Sequence, residues 1–384
     1  MNFDLTAEQR ECRQLARNLG KKEIAPKVAD YNRSERFPLE IYKKMGQEGI
    51  LGGTIPRRWD GAGIDHVSLA LVCEELGYFC LELAAVVGMI STMFGDILLQ
   101  HGTERQRERY LRPLCKGDTL ASCAVTEPQG GSDVAAVATT AVPRGNGYLI
   151  NGSKSWISYA ASADWLLTLA RIGDSTEGGG FGAFIVEKGF PGLSISRIHN
   201  KLGDRLGDAS DVFFEDCPVP RENMVGGEGD GLRVILAALE GNRLCFAARC
   251  CGGIKACLDE STNYARERIV FGRPIGQNQL VQAKIADMAV NLECARWLTY
   301  HLAWLKDTGL ARATQESSMA KLFATDAFMK AATSAVQIYG AYGCSDDSKV
   351  ARLFRDAKVH QIMEGTSEIH IMLIAEYALG YRSK

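Results

Sequence analysis

Val125-Thr-Glu-Pro-Gln-Gly-Gly-Ser-Asp133 stands where the pattern of this sequence changes from helical to β-rich. The segment predicts a short strand that runs into a turn, where two glycines expose backbone N–H groups beside the hydroxyls of Thr126 and Ser132. Such a loop can hold a flavin or a phosphate. It can equally be a tight β-turn that Ser132 caps, and the segment alone leaves both interpretations open.

The chain around this loop divides into helical, β-rich and helical thirds. Over residues 1–120, Thr6 can cap a first helix, and residues 40–46 end at a glycine suited to a helix C-terminus. Residues 121–231 are short apolar runs separated by Gly, Pro and Asn, which predict strands. Helical spacing returns over 232–384. We therefore expect an α+β fold with an N-terminal helical domain (1–120), a middle β-domain (121–231) and a C-terminal helical bundle (232–384).

Two local signals refine this division. Asn151-Gly152 predicts a type I′ hairpin turn just before Trp156, because both central positions of that turn need positive φ. In the last third, Asp307-Thr-Gly predicts a helix stop, and residues 313–338 predict a long helix before Gly340.

Composition and charge exclude several classes of protein. The 384 residues carry 44 basic and 46 acidic side chains, so the net charge of -2 gives no attraction to nucleic acid or anionic lipid. The twelve cysteines contain no Cys-x-x-Cys pair, which favours reduced thiols in a cytoplasmic setting over disulfides or a zinc site, and we expect no metal. The N-terminus has no signal-peptide pattern. Residues 81–99 are apolar, but Glu82 and Asp96 interrupt them, so a buried helix is favoured over a membrane span.

Two further segments carry chemistry-bearing side chains. Glu364 lies in Ile362-Met-Glu-Gly-Thr-Ser-Glu-Ile369, where Gly365 permits close backbone approach and Thr366 can cap a following helix. Taken alone, a Glu before a Gly is more often a solvated surface residue than a catalytic one. Residues 266–276, Arg-Glu-Arg-Ile-Val-Phe-Gly-Arg-Pro-Ile-Gly, combine cations with an aromatic ring, which suits an anionic, aromatic cofactor or simply an exposed loop.

Together these segments resemble the acyl-CoA dehydrogenase family over essentially the whole chain. The motifs are Thr-Glu-Pro-x-Gly-Gly-Ser-Asp, Asn-Gly-Ser-Lys-Ser-Trp-Ile-Ser, Arg-x-x-Phe-Gly, Gln-Ile-Tyr-Gly and Glu-Gly-Thr, in that order. The resemblance implies FAD as cofactor, a C-terminal four-helix bundle and a homotetramer with FAD shared across a subunit interface. It also implies electron-transfer flavoprotein as the electron acceptor.

The resemblance assigns roles residue by residue. Thr126 and Ser158 would hydrogen-bond the flavin ring, Trp156 would pack against it, and Ser132 would lie near the flavin and the thioester arm. Further FAD-binding positions are Val125, Gly131, Arg268, Phe271, Gln279, Gln337 and Gly340 (the last two from a neighbouring subunit), Thr366 and Glu368. Further substrate-binding positions are Glu240, Arg243 and Gly365, although Glu240 replaces the family's usual Asp.

Glu364 matches the family's usual catalytic base. The second location known for the base precedes an Arg on an earlier helix, and here Asn242 occupies it before Arg243, so Glu364 is the one candidate. The implied reaction removes the α-proton of an acyl-CoA at Glu364 and passes a hydride from Cβ to flavin N5. The backbone N–H of Glu364 would polarise the thioester carbonyl. Burial should raise the pKa of Glu364 toward neutrality.

The acyl group is less well specified. Ala341, Met363 and the segment over residues 57–60 depart from the family pattern, which leaves the pocket's shape open. In the fold that the resemblance implies, residues 59–104 line the acyl end of the pocket, and they contain no Lys or Arg, so a second carboxylate on the substrate would be unpaired there. We expect an uncharged short, branched or cyclic acyl chain. Asp96 could bind a polar acyl group or act as a second base, or it could have only a structural role on its helix.

Three rival functions share the scaffold. The acyl group could be carried on a carrier protein's phosphopantetheine instead of CoA. The chain could be a non-catalytic flavoprotein or assembly factor, but the presence of Glu364 together with the full set of FAD-binding motifs argues against this alternative. It could also be an oxidase that returns electrons to oxygen.

Overall fold

The computed structural model describes residues 4–173, 180–310 and 312–382. The N-terminal part is helical, as predicted. Its helices are α1 (Ala7–Leu19), α2 (Val28–Ser34), α3 (Leu39–Gln47), α4 (His66–Phe79), α5 (Leu81–Gly88), α6 (Asp96–His101), α7 (Glu104–Gln106) and α8 (Arg112–Lys116), with π-helical turns at Gly20–Ile24, Met89–Gly95 and Arg107–Leu111 and a 3₁₀ turn at Arg57–Trp59. Thr6 caps α1 through reciprocal hydrogen bonds with Gln9, which confirms the predicted start of that helix.

The predicted role of Gly46 as the terminal glycine of α3 is wrong. Gly46 lies inside the last turn, where a Cβ would come within 2.1 Å of the carbonyl oxygen of Lys116. The left-handed position after the helix belongs to Gly49, with φ 71°. Gly46 is therefore needed for close backbone approach rather than for ending the helix.

The apolar stretch from residue 81 is a core helix. α5, the Met89–Gly95 π turn and α6 follow one another without a break. By length and composition Leu81–His101 could cross a membrane, but 94% of its most apolar window is buried inside the protein. The prediction of a buried helix is confirmed.

The middle of the chain forms a sheet. Its strands are β1 (Ala121–Ala124), β2 (Thr140–Arg144), β3 (Gly147–Ser158), β4 (Trp165–Ile172), β5 (Phe181–Glu187), β6 (Leu193–Ile198), β7 (Ala209–Pro220) and β8 (Met224–Val225). Within the described residues the eight strands form one sheet in the order β6-β7-β3-β2-β4-β5-β8, with β1 paired to β4. Most neighbours are antiparallel, while β4 pairs in parallel with β1 and with β2.

The hairpin turn predicted at Asn151-Gly152 is wrong. β3 runs straight through these residues, and its turn to β2 lies at Gly145, with φ 57°. Asn151-Gly152 instead lies opposite a bulge on β7, because the step from Ile150 to Gly152 faces the longer step from Cys217 to Phe214, within which Asp216 has φ 47°. The Asn151 side chain exchanges hydrogen bonds with Asp216 at the same shift, through its Nδ2 (3.0 Å) and Oδ1 (2.8 Å) atoms. Of the pair, Gly152 alone has positive φ (142°), and it is also needed because a Cβ there would lie 2.6 Å from the hydroxyl oxygen of Thr139, so the dipeptide does not distinguish close approach beside a bulge from a turn.

The C-terminal part is helical again, which confirms the α+β class. Its elements are α9 (Gly231–Glu267), a hairpin of β9 (Ile269–Val270) and β10 (Arg273–Pro274), α10 (Gln279–Asp307), α11 (Thr314–Tyr339), α12 (Lys349–Ile362) and α13 (Ser367–Ala378). The predicted stop at Asp307 and the predicted Thr366 cap are confirmed. One apolar cluster joins the N-terminal helices to α9, α10 and α11, and a second lies in the sheet. The division into domains at residues 120 and 231 stays a prediction.

Candidate active site

Glu364 lies in the short turn that joins α12 to α13. Its backbone is left-handed (φ 57°), and Gly365 follows with φ 92°. Thr366 then caps α13 by accepting a hydrogen bond from the N–H of Ile369. A non-glycine residue in the left-handed region is strained, and such strain persists where the surrounding structure holds it in place.

The Glu364 carboxylate is an inward-facing group, not a solvated one. Asn242 of α9 donates from Nδ2 to Oε1 at 3.0 Å. The Oε2 atom is inaccessible and has no hydrogen-bond partner among the described residues. Burial raises the pKa of Glu364, and the Asn242 hydrogen bond and the charges of Arg249 and Arg243 oppose that rise. The result is a carboxylate with one oxygen held and one free to accept a proton.

Two buried donors that the sequence did not single out hold the backbone of this turn. Lys321 of α11 donates from Nζ to the carbonyl oxygen of Gly365 at 2.7 Å. The Nε2 atom of His370 lies 3.2 Å from the carbonyl oxygen of Glu364, so it carries the proton and donates. Burial lowers the pKa of Lys321 to about 8 and that of His370 to about 3. Helical spacing places both residues on inward faces, but it does not say what they contact.

The two substrate-binding candidates of α9 differ in their surroundings. Arg243 is buried, its Nε has no partner among the described groups, and burial lowers its pKa despite the nearby charges of Glu364 and Glu240. Glu240 already has partners, since it accepts from the N–H of Ala313 (2.8 Å) and from the hydroxyl of Thr314 at the start of α11. Its role in binding substrate stays a prediction.

The Val125–Asp133 loop and β3 form one edge of the sheet domain. The N–H of Ser155 donates to the carbonyl oxygen of Thr126 at 2.9 Å, which brings the loop against the strand. Trp156 has a left-handed backbone (φ 58°) and a side chain that is 60% exposed. Ser158 and Thr126 are partly buried, while Gly131 and Ser132 are exposed and Val125 is buried.

A buried ion pair supports this loop from below. Lys154 Nζ lies 2.8 Å from Glu127 Oε1, with both side chains almost fully buried. It also donates to the carbonyl oxygen of Val125 at 3.2 Å. Burial works to raise the pKa of Glu127, but hydrogen bonds from Lys154 and Thr139 outweigh it and hold that pKa at about 2. For Lys154, burial disfavours the charged form more strongly than the pairing with Glu127 favours it, so the pKa of Lys154 falls to about 8.

These features fit a planar, aromatic cofactor. A Cβ on Gly131 would lie 3.1 Å from the Thr126 side chain, so the glycine keeps the space above that hydroxyl open. The exposed Trp156 ring and the hydroxyls of Thr126 and Ser158 offer stacking and hydrogen bonds to a polar ring system. The loop is therefore suited to a flavin.

The remaining FAD-binding candidates form a separate surface. Phe271 lies at the tip of the β9-β10 hairpin and is 98% exposed. The Arg268 guanidinium lies 5.8 Å from the ring of Tyr342, just after α11, so the hairpin and the end of α11 are neighbours in one chain. Exposed on or beside the same elements are Gln279, Gln337 and Gly340. Thr366 and Glu368 instead flank the Glu364 turn, with Glu368 exposed.

The chain matches three family models in succession. They are acyl-CoA dehydrogenase, N-terminal domain, over residues 6–118, the middle domain over 122–217 and the C-terminal domain over 229–379. An acyl-CoA dehydrogenase of Bacillus subtilis is 40% identical over 98% of this chain and 99% of its own. This chain belongs to the acyl-CoA dehydrogenase family.

Other members of the family are similar over almost their whole length. The short-chain specific acyl-CoA dehydrogenase of Clostridium acetobutylicum is 40% identical over 98% of this chain and 99% of its own. A glutaryl-coenzyme A dehydrogenase in complex with glutaryl-CoA superposes with a TM-score of 0.96 at 37% identity, covering 100% of this chain and 98% of that one. A chain from a structure of the electron transferring flavoprotein of Acidaminococcus fermentans superposes with a TM-score of 0.95 at 35% identity, covering 99% and 100%.

Membership in the acyl-CoA dehydrogenase family fixes the reaction class. The protein is an FAD-dependent oxidoreductase that dehydrogenates an acyl-CoA. The alternative of a non-catalytic assembly factor is therefore not supported. Asp96, the alternative base, lies beside α9, where its Oδ2 would be 3.5 Å from a Cβ on Gly241. Burial raises the pKa of Asp96 to about 6, and the charges of Lys306 and His66 oppose that rise.

Sequence reasoning also missed a buried acid cluster in this acyl-CoA dehydrogenase. Glu82, Asp204 and Asp356 place carboxylate oxygens within 4.8 Å of one another. Burial raises the pKa values of Asp204 and Asp356, the latter to about 7, so this cluster holds protons near neutral pH. The charges of Arg249 and Arg352 lie close enough to lower these values in part. The three residues come from three separate segments, and no local pattern links them.

Proposed function

We propose that Glu364 is the base that removes the α-proton of an uncharged short, branched or cyclic acyl-CoA. The observation that carries this assignment is the state of its carboxylate. One oxygen is fixed by Asn242, and the other is buried without a partner among the described residues. A desolvated carboxylate with a raised pKa is a stronger base toward a weakly acidic α-proton than a solvated one.

The backbone of Glu364 supports a second role. Its N–H donates to no other group among the described residues, while its carbonyl oxygen is already engaged by His370. A free N–H at the base is available to the thioester carbonyl, where negative charge develops as the proton leaves. Such a donor is typically worth about 3 kcal/mol of transition-state stabilisation. Arg243, buried beside Glu364, adds positive charge near the same point.

The sheet edge would hold the cofactor. We assign the flavin ring to the cradle of Val125, Thr126, Gly131, Ser132, Trp156 and Ser158, with Thr366 and Glu368 near the base. Bound FAD would supply, at N5, the acceptor for the hydride that leaves Cβ. Trp156 is suited to excluding water from that face because its large ring stands exposed beside the loop.

The remaining cofactor candidates favour a shared site in a homotetramer. Phe271 and Arg268 lie on the hairpin and neighbour the end of α11, whereas the flavin cradle lies on the sheet. A second copy of the chain that presents the hairpin and α11 surface to the cradle would complete one FAD site. A 98% exposed phenylalanine is consistent with burial in such an interface.

The acyl group is the point on which the family leaves a choice. Relatives include a short-chain specific enzyme and a glutaryl-CoA dehydrogenase. Residues 59–104, which include the core helix beside Asn242, contain no Lys or Arg to pair with a second carboxylate. A monocarboxylic acyl group is therefore favoured over a glutaryl group.

We further infer the electron acceptor and the compartment. An electron-transfer flavoprotein suits a chain in which FAD is the one expected redox group, and a structure of such a flavoprotein contains a chain similar to this one. All twelve cysteines are free thiols, which suits a reducing compartment such as the cytoplasm.

Anaerobic titration of the FAD-loaded protein tests this function. A panel of butyryl, isobutyryl, isovaleryl, cyclohexanoyl and glutaryl thioesters, on CoA and on a carrier protein, is added while flavin absorbance is followed. We expect bleaching with one of the uncharged CoA thioesters and none with glutaryl-CoA. Absence of bleaching with every thioester would contradict the proposal, and bleaching only with the carrier-bound forms would move the substrate to a carrier protein.

The base itself is tested by Glu364→Gln. This variant keeps the shape of the side chain, so it should bind FAD and thioester yet reduce its flavin at least about a thousandfold more slowly. Glu376→Gln on α13 is the matched control, because within the described part of the chain the Glu376 carboxylate pairs with Arg382 alone, at the surface. Near-wild-type reduction by Glu364→Gln would move the base to Asp96, and an Asp96→Asn variant would then lose the activity.

A further inference from the structure

We propose that Asn242, Lys321 and His370 are positioning residues that hold Glu364 and Gly365 in the conformation needed for proton abstraction. This inference rests on the proposed role of Glu364 as the base. It assigns a function to three buried side chains from three helices, none of which would contact the reacting atoms itself.

The three side chains donate hydrogen bonds to three different acceptors of one turn. Asn242 Nδ2 binds the carboxylate Oε1, His370 Nε2 binds the carbonyl oxygen of Glu364, and Lys321 Nζ binds the carbonyl oxygen of Gly365. The two groups of Glu364 that remain without a partner among the described residues are Oε2 and the backbone N–H. Those are the two groups that the reaction requires.

The turn needs this support because its backbone is strained. Glu364 has φ 57°, a region that a residue with a Cβ rarely adopts, and it is followed by a second left-handed residue. Without donors to both carbonyl oxygens, the chain between α12 and α13 would relax toward other conformations. The carboxylate and the N–H would then no longer be presented together.

A purely structural role does not explain why Lys321 and His370 are buried. Lys321 is fully buried and makes no ion pair within 4 Å in the part of the chain that the structure describes. Its charge lies instead over the ring of Phe246, 5.4 Å away. His370 is also fully buried, and its Nδ1 has no partner among the described atoms. Burying two such polar side chains is unfavourable, and the one side-chain hydrogen bond described for each of them is made to the backbone of this turn.

The opposite wall leaves just enough room for Asn242. A Cβ on Gly88 of α5 would lie 2.8 Å from Asn242 Oδ1 and 2.5 Å from the Cβ of Cys245. Glycine at this position therefore lets α5 approach α9 closely and confines the Asn242 amide. A confined amide can hold the carboxylate in one orientation, which a mobile side chain cannot do.

The groups that face Glu364 set the direction of its response to pH. Burial disfavours its ionised form, whereas the Asn242 amide and the charges of Arg249, Arg243 and Lys321 all favour it. Removal of Asn242 or Lys321 should therefore shift ionisation of the base to higher pH. A side chain that only fills space would leave this ionisation where it is.

Rapid anaerobic flavin reduction across pH 5–9 measures the effect. We expect Asn242→Leu and Lys321→Met to reduce FAD at least about tenfold more slowly, because the Glu364 carboxylate loses its amide donor in the first variant and the Gly365 carbonyl oxygen loses its ammonium donor in the second. The affinity for the thioester should change by less than about threefold. The acid limb of the rate profile should move to higher pH in both. His370→Leu should also be slow, and His370→Gln, which keeps a donor, should recover most of the lost rate. Lys330→Met is the control, since Lys330 lies on α11 but pairs with Asp287 at the surface.

The outcomes separate this inference from the proposed function. No bleaching in the wild-type protein contradicts the function itself. Wild-type bleaching together with wild-type rates and an unshifted pH profile in Asn242→Leu and Lys321→Met overturns the positioning role alone. FAD content and Tm are measured for each variant. If Lys321→Met does not bind FAD, the rates of flavin reduction of Asn242→Leu, His370→Leu and His370→Gln decide whether the positioning role holds.

Discussion

Replacing Lys154 with Met tests the buried ion pair below the flavin cradle. The Nζ atom lies 2.8 Å from Glu127 Oε1, and the two side chains are 0% and 2% exposed. Removing the cation leaves a buried carboxylate without its counter-charge, which typically costs about 3–5 kcal/mol. Glu127 keeps hydrogen bonds from the N–H groups of Ala138 and Thr139. We therefore expect the lower end, about 3 kcal/mol.

For a chain of this length unfolding as one unit, that loss lowers Tm by about 4 °C. Scanning calorimetry of the FAD-loaded protein at pH 7 measures it. The double variant Glu127→Gln, Lys154→Met removes both charges and should recover much of the lost stability, because no unpaired charge remains. Lys154 also donates to the carbonyl oxygen of Val125, so FAD should be released at a lower temperature in the single variant.

The ion pair also predicts a pH dependence. The folded-state pKa of Glu127 is about 2, below its ordinary value of 4.5. A carboxyl group whose pKa is lower in the folded than in the unfolded state stabilises the fold above pH 4.5, and this contribution is lost as the pH falls toward 2. The Tm difference between wild type and Lys154→Met should therefore narrow across that window. A variant as stable as wild type at pH 7, or a double variant whose loss equals the sum of the two single losses, would refute the reasoning.

Four further substitutions test other parts of the fold, each by its effect on Tm. Gly152→Ala should lower the free energy of unfolding by at least about 2 kcal/mol, because the added Cβ would lie 2.6 Å from the hydroxyl oxygen of Thr139. Gly145→Ala meets open space and should lower it by about 1 kcal/mol, the typical cost of a left-handed backbone with a Cβ. Equal losses would contradict the assignment of the bulge and the turn. Glu240→Ala should cost about 1 kcal/mol, since the start of α11 loses its acceptor, and an unchanged Tm would mean that water replaces it. Burial raises the folded pKa values of Asp204 and Asp356 above the ordinary 3.8, that of Asp356 to about 7, so stability falls as the pH rises from about 4 through the folded values. Asp204→Asn should therefore raise Tm more at pH 8 than at pH 5, and equal gains at both pH values would count against this reasoning.

Signals that act within a few residues were predicted correctly from the sequence. Thr6 and Thr366 cap their helices by accepting from N–H groups three residues on, and α10 ends at Asp307 because Thr308 and Gly309 close it with local backbone hydrogen bonds, so a local pattern is enough to find these ends. The short apolar runs separated by Gly, Pro and Asn likewise predicted the strands in the middle of the chain. The failures at Gly46 and Asn151-Gly152 arise because glycine serves close approach, bulge and turn alike, and the neighbour that decides between them is distant in sequence.

The candidate site was predicted through the family resemblance rather than through local chemistry. Glu364 alone suggested a surface residue, and what makes it a candidate base is its burial against α9. Asn242 was noticed only as the occupant of the alternative base position, while the structure places it in direct contact with Glu364. Lys321 and His370 gave no signal, because a buried cation and a neutral histidine look like any other residue on a helical face.

The π-helical turn at Met89–Gly95 sets the register of the core helix against α9. A π turn contains one residue more than an α turn, so the segments on its two sides are rotated by about 100° relative to an uninterrupted helix. This rotation lets Gly88 face Asn242 while Asp96 faces Gly241 on the same partner helix. Loss of one residue within the turn would keep the composition of the helix but rotate Asp96 away from α9. The length of this segment is therefore under tighter constraint than most of its individual side chains, and a single-residue deletion here would disturb the contact with α9 beside Asn242 more than a conservative substitution would.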